Sequence, residues 1–147
     1  GGYIFQDCLD ICKISPSSAL IKKSVFDKYG LFDAKFKVCE DYEFWLRVTS
    51  KIEIGYIDEV LIKKNGGHSD QLSKKYWGID RYRIKALERL IFTNNITIEY
   101  KIMTIKKLIE KINILILGAI NRKNIRILKM YTYKKYIWSE YYFKITR

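Results

Sequence analysis

The final third of the chain carries its most regular pattern of apolar positions. Residues spaced alternately four and three apart share one face of a predicted helix: Ile98, Ile102, Ile105, Ile109, Ile112, Ile116 and Ala119. The polar residues 121–124 interrupt this pattern, and a tyrosine-rich helix over 125–143 follows. So short a connection predicts an antiparallel helical hairpin. The hairpin either packs on the preceding part of the chain or pairs with a second copy as a coiled coil.

The first 95 residues mix short apolar runs with helical patterns. Six segments have a predicted structure: strands over 19–21, 52–57 and 59–64, and helices over about 25–29, 41–50 and 76–92. Ser24 is the expected N-cap of the first of these helices, with Asp27 as its capping-box partner, and Gly30 is its expected left-handed C-cap. Strands interspersed with helices predict an α/β fold class.

The second of these helices combines an apolar face with an ion pair. Phe44, Trp45 and Val48 lie on one side of it, which predicts a buried face. Glu43 and Arg47 are four residues apart, in the order that favours an ion pair on a helix.

Two adjacent carboxylates, Glu40 and Asp41, stand at the start of the same helix. Backbone N–H groups and the helix dipole stabilise an anion at that position. A carboxylate held there can accept a proton from an attacking hydroxyl group, as a general base does. The alternative is an ordinary capping role for Asp41.

Charge is unevenly distributed along the 147 residues. Lys and Arg number 28 and Asp and Glu 16, which gives a net charge of +12. Residues 96–147 hold 12 basic and 3 acidic side chains, so 12 − 3 = +9 of the excess lies there. This segment suits an anionic lipid surface, a nucleic acid or an acidic partner, or it is a solvated helical face.

Cysteine content and hydropathy indicate a compartment. Cys8, Cys12 and Cys39 are odd in number and form no C-x-x-C pair, which fits reduced thiols better than a disulfide framework. The longest apolar run, 114–120, is much shorter than the ~20 residues of a membrane span. We therefore expect a cytoplasmic protein, with the basic tail available to meet the inner face of the membrane.

A longer pattern surrounds the acidic pair and follows a serine-rich turn. The arrangement F-x-x-x-G-x-F-D precedes E-D-x-x-x-x-x-R, and the residues that carry both are Phe26, Gly30, Phe32, Asp33, Glu40, Asp41 and Arg47. With these residues, the segment 12–93 resembles the acceptor half of a family 2 glycosyltransferase. The resemblance implies the C-terminal part of a GT-A fold, followed here by a helical hairpin.

The resemblance also implies an activity and residue roles. The reaction would be an inverting transfer of a sugar from a nucleotide-diphosphate donor to a glycan or lipid-linked acceptor. Asp41 matches the general base of the family, and Glu40 would help to position the acceptor. His68 matches a position that in many relatives contacts the divalent metal, Mn²⁺ or Mg²⁺, or the donor diphosphate. The alternative for His68 is an exposed loop histidine.

Five further residues are predicted to bind the substrate: Arg47, Ser17, Ser18, Asp70 and Gln71. Each has a structural alternative. Arg47 pairs with Glu43, the two serines end a turn, and the pair at 70–71 stabilises its own loop.

The donor side of the family has no counterpart in this sequence. No D-x-D motif occurs, and the nearest candidate, DCLD at 7–10, has the wrong spacing. A divalent ion needs several oxygen ligands, which His68 alone does not supply. We therefore expect residues 1–95 to be the acceptor-side part of a glycosyltransferase domain, an incomplete fragment without its donor-binding half. Residues 96–147 would be the basic hairpin, and the isolated chain would not turn over a nucleotide sugar.

Two other functions remain open. The chain is either a non-catalytic binding module whose basic tail grips nucleic acid, or an inactive interaction domain that pairs with a separate donor-binding chain. Nucleic acid is the less favoured partner, because the basic residues of the tail alternate with a helical core stripe and no nucleic-acid motif occurs.

Overall fold

The computed structural model describes residues 1–63, 76–93 and 95–147, which form two compact units, Gly1–Ile79 and Asp80–Arg147. The division falls earlier than the predicted boundary after residue 95. It does so because the helix that begins at Asp80 packs on the C-terminal hairpin.

The first unit is built from short helices around a small aromatic core. Its elements are α1 (Phe5–Cys8), a 3-10 helix (Pro16–Ser18), α2 (Lys23–Tyr29) and α3 (Glu40–Thr49). Both α1 and α2 pack against α3. The predicted apolar face of α3 is confirmed: Phe44, Trp45 and Val48 are buried at 0%, 4% and 1% exposure and form the centre of one cluster.

The predicted α/β fold class, and with it the C-terminal part of a GT-A fold, is wrong for the described residues. They contain six α-helices and one 3-10 helix, and no strand. One antiparallel bridge joins Gly2 and Ile54, with N–O distances of 2.7 and 2.9 Å. A strand requires a hydrogen-bonded neighbour along its length. Beyond that bridge, the segments 19–21 and 52–57 have no such neighbour within the described chain.

Side chains in the segments predicted as the second and third strands differ in burial. Ile52 and Ile54 are half-buried and pack against the core, whereas Glu53 between them is exposed. Val60 and Leu61, in the third predicted strand, are exposed at 98% and 66%. Apolar residues therefore face the core only at Ile52 and Ile54, next to the bridge with Gly2, and not in the rest of these segments.

The two ends of α2 differ from the predicted caps, the first completely and the second in part. The helix begins at Lys23 after an extended Lys22, and no side chain of the described chain caps it, so the capping role predicted for Ser24 and Asp27 is wrong. Gly30 does end the helix, but its ψ of 169° lies outside the left-handed conformation that was predicted. Its φ is +80° and its N–H donates to the Phe26 carbonyl at 2.8 Å.

The second unit consists of α4 (Asp80–Thr93), α5 (Ile98–Asn121) and α6 (Ile125–Thr146). The predicted hairpin is confirmed, since α5 and α6 pack along each other across the connection at 122–124. None of the helices in the described ranges is both long and apolar enough to cross a membrane.

The buried stripe of α5 agrees with the predicted one at Ile105, Ile112 and Ala119 and differs elsewhere. Leu108 and Leu115 lie in the core, while Ile109 and Ile116 are only half-buried and Ile98 is 59% exposed. The reason is that α5 packs against both α4 and α6, so the stripe is centred between its two partners. Apolar residues surround much of this helix, so spacing alone did not select the face.

Polar contacts join α4 to the hairpin. Glu88 accepts hydrogen bonds from Lys134 Nζ at 2.6 Å and from Trp138 Nε1 at 3.0 Å. The Trp138 ring lies 5.5 Å from that of Phe92. Buried Lys111 lies 3.9 Å from the carboxylate of Asp80.

Candidate functional site

The acidic pair occupies the first turn of α3, as the sequence predicted. Glu40 and Asp41 are both half-buried. Cys39 precedes them in the left-handed conformation, with φ at 64°, and its carbonyl accepts the first helical hydrogen bond from the Glu43 N–H at 3.0 Å. The Asp41 Oδ1 accepts a hydrogen bond from the Tyr42 N–H at 2.7 Å. The carboxylate of Asp41 therefore lies at the positive end of the helix dipole.

Tyr42 fixes this turn to the end of α1. Its ring is buried, with 1% exposure, and its hydroxyl donates to the Leu9 carbonyl at 2.5 Å. A buried hydroxyl of this kind needs an acceptor, and the Leu9 carbonyl supplies it. The start of α3 is thus attached to a segment more than thirty residues earlier in the chain.

The thiol of Cys12 lies beside the Asp41 carboxylate. Burial raises the pKa of Cys12 to about 12, and the neighbouring charge and hydrogen bonding of Asp41 contribute to the rise. The Cys12 thiol also donates to the Ile14 carbonyl at 3.1 Å. At neutral pH the group facing Asp41 is therefore an uncharged S–H. Nothing in the sequence pointed to this neighbour, because the two residues lie far apart in the chain.

The aromatic residues of the F-x-x-x-G-x-F-D pattern pack on the same helix. Phe26 and Phe32 lie 5.5 and 4.4 Å from the ring of Phe44, centroid to centroid. Asp33 closes a local turn by accepting from the Lys35 N–H at 2.8 Å. These pattern residues form a framework for α3.

Arg47 completes that framework. Its guanidinium binds both carboxylate oxygens of Glu43, at 2.8 and 2.9 Å. It also donates to the carbonyl of Tyr29, and to that of Leu31 at 2.9 Å. The predicted pairing of Arg47 with Glu43 is confirmed. The guanidinium is occupied by these structural contacts, and its predicted role in substrate binding stays a prediction.

Trp45 lies next to Phe44 in the core with an unmatched donor. Its ring is 5.0 Å from the Phe44 ring in an edge-on arrangement, and its Nε1 has no hydrogen-bond acceptor within the described residues. The buried indole contributes apolar area to the core, and this N–H offsets part of that gain.

Ser17 and Ser18 lie exposed on the 3-10 helix before α2. Ser17 Oγ is 3.0 Å from Ser15 Oγ, and Ser18 Oγ donates to the Ser15 carbonyl at 3.0 Å. Both hydroxyls thus take part in the local turn, as the structural alternative predicted. Their role in acceptor binding stays a prediction.

The predicted loop residues His68, Asp70 and Gln71 lie outside the described residues. Elsewhere in the described chain, no three His, Cys, Asp or Glu side chains group in a way that would hold a metal ion. The described part of the chain therefore does not fit the divalent cation that the resemblance implies.

Comparison of the chain with protein-family models, with curated proteins and with solved structures found no match. The likeness to family 2 glycosyltransferases accordingly depends on the motif residues of the sequence alone.

Proposed function

We propose that this chain carries the acceptor side of an inverting, family 2-like glycosyltransferase. The substrate would be a nucleotide-diphosphate sugar, and the acceptor a glycan or a lipid-linked saccharide at the cytoplasmic face of a membrane. Cys8, Cys12 and Cys39 form no disulfide in the structure, which supports the cytoplasmic assignment.

One observation carries the proposal. The residues of the motif converge on α3, the helix that holds the acidic pair that the proposal needs, Glu40 and Asp41. Phe26, Phe32 and Arg47 pack or bond along the helix. The acidic pair stands at its first turn, half-buried. Holding a reactive group on a rigid element is how a site maintains its geometry.

The proposed step is a single displacement. The acceptor hydroxyl attacks the anomeric carbon of the donor, and the Asp41 carboxylate takes its proton. The new carbon–oxygen bond forms as the bond to the diphosphate oxygen breaks, and the nucleotide diphosphate leaves with that electron pair. Glu40, adjacent on the same turn, would accept a hydrogen bond from a second acceptor hydroxyl. The thiol of Cys12 is neutral, so it is not a second base that would take the proton of the acceptor hydroxyl in place of Asp41.

Substitution at Asp41 tests the proposal. Membranes from cells that express the native gene would be assayed for transfer of radiolabelled sugar from UDP- and GDP-sugars into the lipid-linked fraction. Asp41→Asn should lower turnover by about 10²–10⁴-fold, the usual effect of removing a general base. Asp27→Asn, on the exposed side of α2, is the matched control and should retain activity. Transfer that is unchanged by Asp41→Asn would contradict the assignment.

A basic binding module is the second candidate, and the distribution of charge favours it. No Asp or Glu occurs between Glu110 and Glu140. Titration of labelled RNA and DNA across a salt series tests the nucleic-acid form of this candidate, because phosphate binding weakens steeply with salt. Binding that is weak at all salt concentrations would exclude it.

A further inference from the structure

The end of the hairpin extends past α4 within the second unit. Asp80, the first residue of α4, lies beside Lys111 of α5, at 3.9 Å. The residues of α5 after Lys111, 112–121, therefore continue beyond the start of α4, over about 15 Å at 1.5 Å per residue. Together with the first turns of α6 they form the hairpin tip, defined here as residues 112–130.

The outward face of α5 changes from charged to apolar where the tip begins. Before the tip, this face carries the exposed Lys106 and Glu110. Within the tip it carries Ile114, Leu117 and Ile120, exposed at 49%, 61% and 52%. At 3.6 residues per turn, these three centre on the side opposite the buried stripe through Leu108 and Leu115. On this face the exposed apolar residues thus lie in the last turns of the helix, apart from Ile98 at its first residue.

The backbone at the tip is internally hydrogen-bonded. The Asn124 N–H donates to the Ala119 carbonyl at 2.8 Å, and the Asn124 side chain accepts from the Ile127 N–H at 3.1 Å. The Arg122 guanidinium donates to the Gly118 carbonyl at 3.2 Å. A turn whose polar backbone groups are paired in this way can enter a less polar medium at lower cost.

Basic side chains surround the apolar residues. Arg122, Lys123, Arg126 and Lys129 are exposed in the tip. Ile125, exposed at 66%, lies among them. No acidic residue occurs between Glu110 and Glu140, so the tip has one sign of charge. The partner that complements it is an anionic surface with an apolar layer beneath.

We propose that the hairpin tip inserts end-on into the headgroup region of an anionic lipid bilayer. Leu117, Ile120 and Ile125 would reach the acyl boundary, at the depth of about 5–10 Å typical of interfacial helices. Arg126 and Lys129 would contact lipid phosphates. A nucleic acid would leave the apolar residues in water, and a second copy would bring two basic tips together. The inference does not depend on the proposed transferase, because vesicle binding needs neither donor nor acceptor.

Co-sedimentation of the full 147-residue chain with vesicles tests the apolar part of the tip. Vesicles of phosphatidylcholine with and without phosphatidylglycerol are the probe. The double variant Leu117→Ser/Ile120→Ser should bind the anionic vesicles about 10-fold or more weakly, since two apolar side chains no longer leave water. Ile98→Ser is the matched control. It removes an isoleucine of similar exposure, 59%, at the other end of α5, and should bind normally.

Charge neutralisation tests the basic part. Lys123→Gln/Arg126→Gln/Lys129→Gln should weaken binding by about 5-fold per charge at low salt. Lys22→Gln/Lys23→Gln/Lys37→Gln makes the same change in net charge on exposed residues of the first unit, and should have a much smaller effect. If the two triple variants lose vesicle binding equally, the hairpin tip is not the contact with the lipid.

Insertion depth separates end-on insertion from adsorption of the whole basic surface. The tryptophan added in Leu117→Trp should be quenched by lipids with brominated acyl chains, whereas the tryptophan added in Ile98→Trp should not be. In each case the fluorescence of the added tryptophan is the difference between the variant and the unsubstituted protein. Equal quenching at both positions would overturn the end-on geometry. If the chain binds RNA but not vesicles, the proposal that the partner is a lipid bilayer is wrong. It is also wrong if the chain does not bind vesicles but forms a dimer that Leu117→Ser/Ile120→Ser abolishes.

Discussion

Arg47 holds the Glu43 carboxylate at two points, with Nε–Oε1 and Nη2–Oε2 distances of 2.8 and 2.9 Å. The Glu43 side chain is only 2% exposed. The same guanidinium reaches the carbonyls of Tyr29 and Leu31, on either side of Gly30. One side chain therefore neutralises a buried charge and attaches α3 to the segment that follows α2. The planar guanidinium suits this arrangement, since it donates in several fixed directions.

Removing Arg47 should destabilise the first unit strongly. Arg47→Ala leaves the Glu43 carboxylate buried without this partner, for which the expected loss in free energy of unfolding is about 3–5 kcal/mol. Urea unfolding followed by circular dichroism measures it. The double variant Glu43→Leu/Arg47→Met should lose much less, because no charge is left behind. Glu53→Gln, on an exposed residue, is the control. A loss from Arg47→Ala no larger than that of the double variant would contradict this account.

Substitution of Gly30 should also be costly, through its backbone conformation. Its φ of +80° and ψ of 169° lie in a region that only glycine adopts readily. A Cβ at this position would also meet Arg47 Nη1 at 3.4 Å. Gly30→Ala should therefore lower the free energy of unfolding by about 1–3 kcal/mol. Gly55→Ala is the matched control, because a Cβ there has no atom within 4 Å. Equal unfolding midpoints for the two variants would contradict the strain.

The thiol of Cys12 should make stability depend on pH in the alkaline range. Burial, aided by Asp41, raises its pKa from the ordinary value of 9.0 to about 12. Between these two values the unfolded chain loses the proton and the folded chain keeps it. The folded state then binds more protons, so the free energy of unfolding falls as pH rises through this range, and below it the contribution is constant.

Cys12→Ala isolates this contribution, since lysine and tyrosine titrations are common to both proteins. Urea midpoints would be measured for both proteins below pH 9.0 and at several pH values between 9.0 and 12. As pH rises through the second range, the midpoint should fall less steeply in the variant than in the unsubstituted protein. The same raised pKa should make Cys12 slow to react with iodoacetamide, because the thiolate is the nucleophile. Parallel pH profiles for the two proteins would show that the thiol has no raised pKa in the folded state.

Much of the helical architecture was predictable because its signals are local. The 3.6-residue period, the break at 121–124 and Gly30 after α2 lie within a few residues of the structure that they specify. The acidic pair was likewise predictable at a helix start, and the Glu43–Arg47 pair from its spacing. These features depend on backbone geometry within one helix, which a short stretch of sequence encodes.

Other features required distant segments to meet. The predicted strands at 19–21 and 52–57 do not form a sheet in the described chain, because sheet hydrogen bonds need a second segment. The buried face of α5 was set by its two packing partners. Cys12 beside Asp41, and Arg47 on the carbonyl of Leu31, join residues that no periodicity relates. The sequence by itself determined the principal helices and the position of the acidic pair. Only the tertiary structure decided what surrounds that pair and which apolar residues stay in water, because both depend on contacts between separate segments.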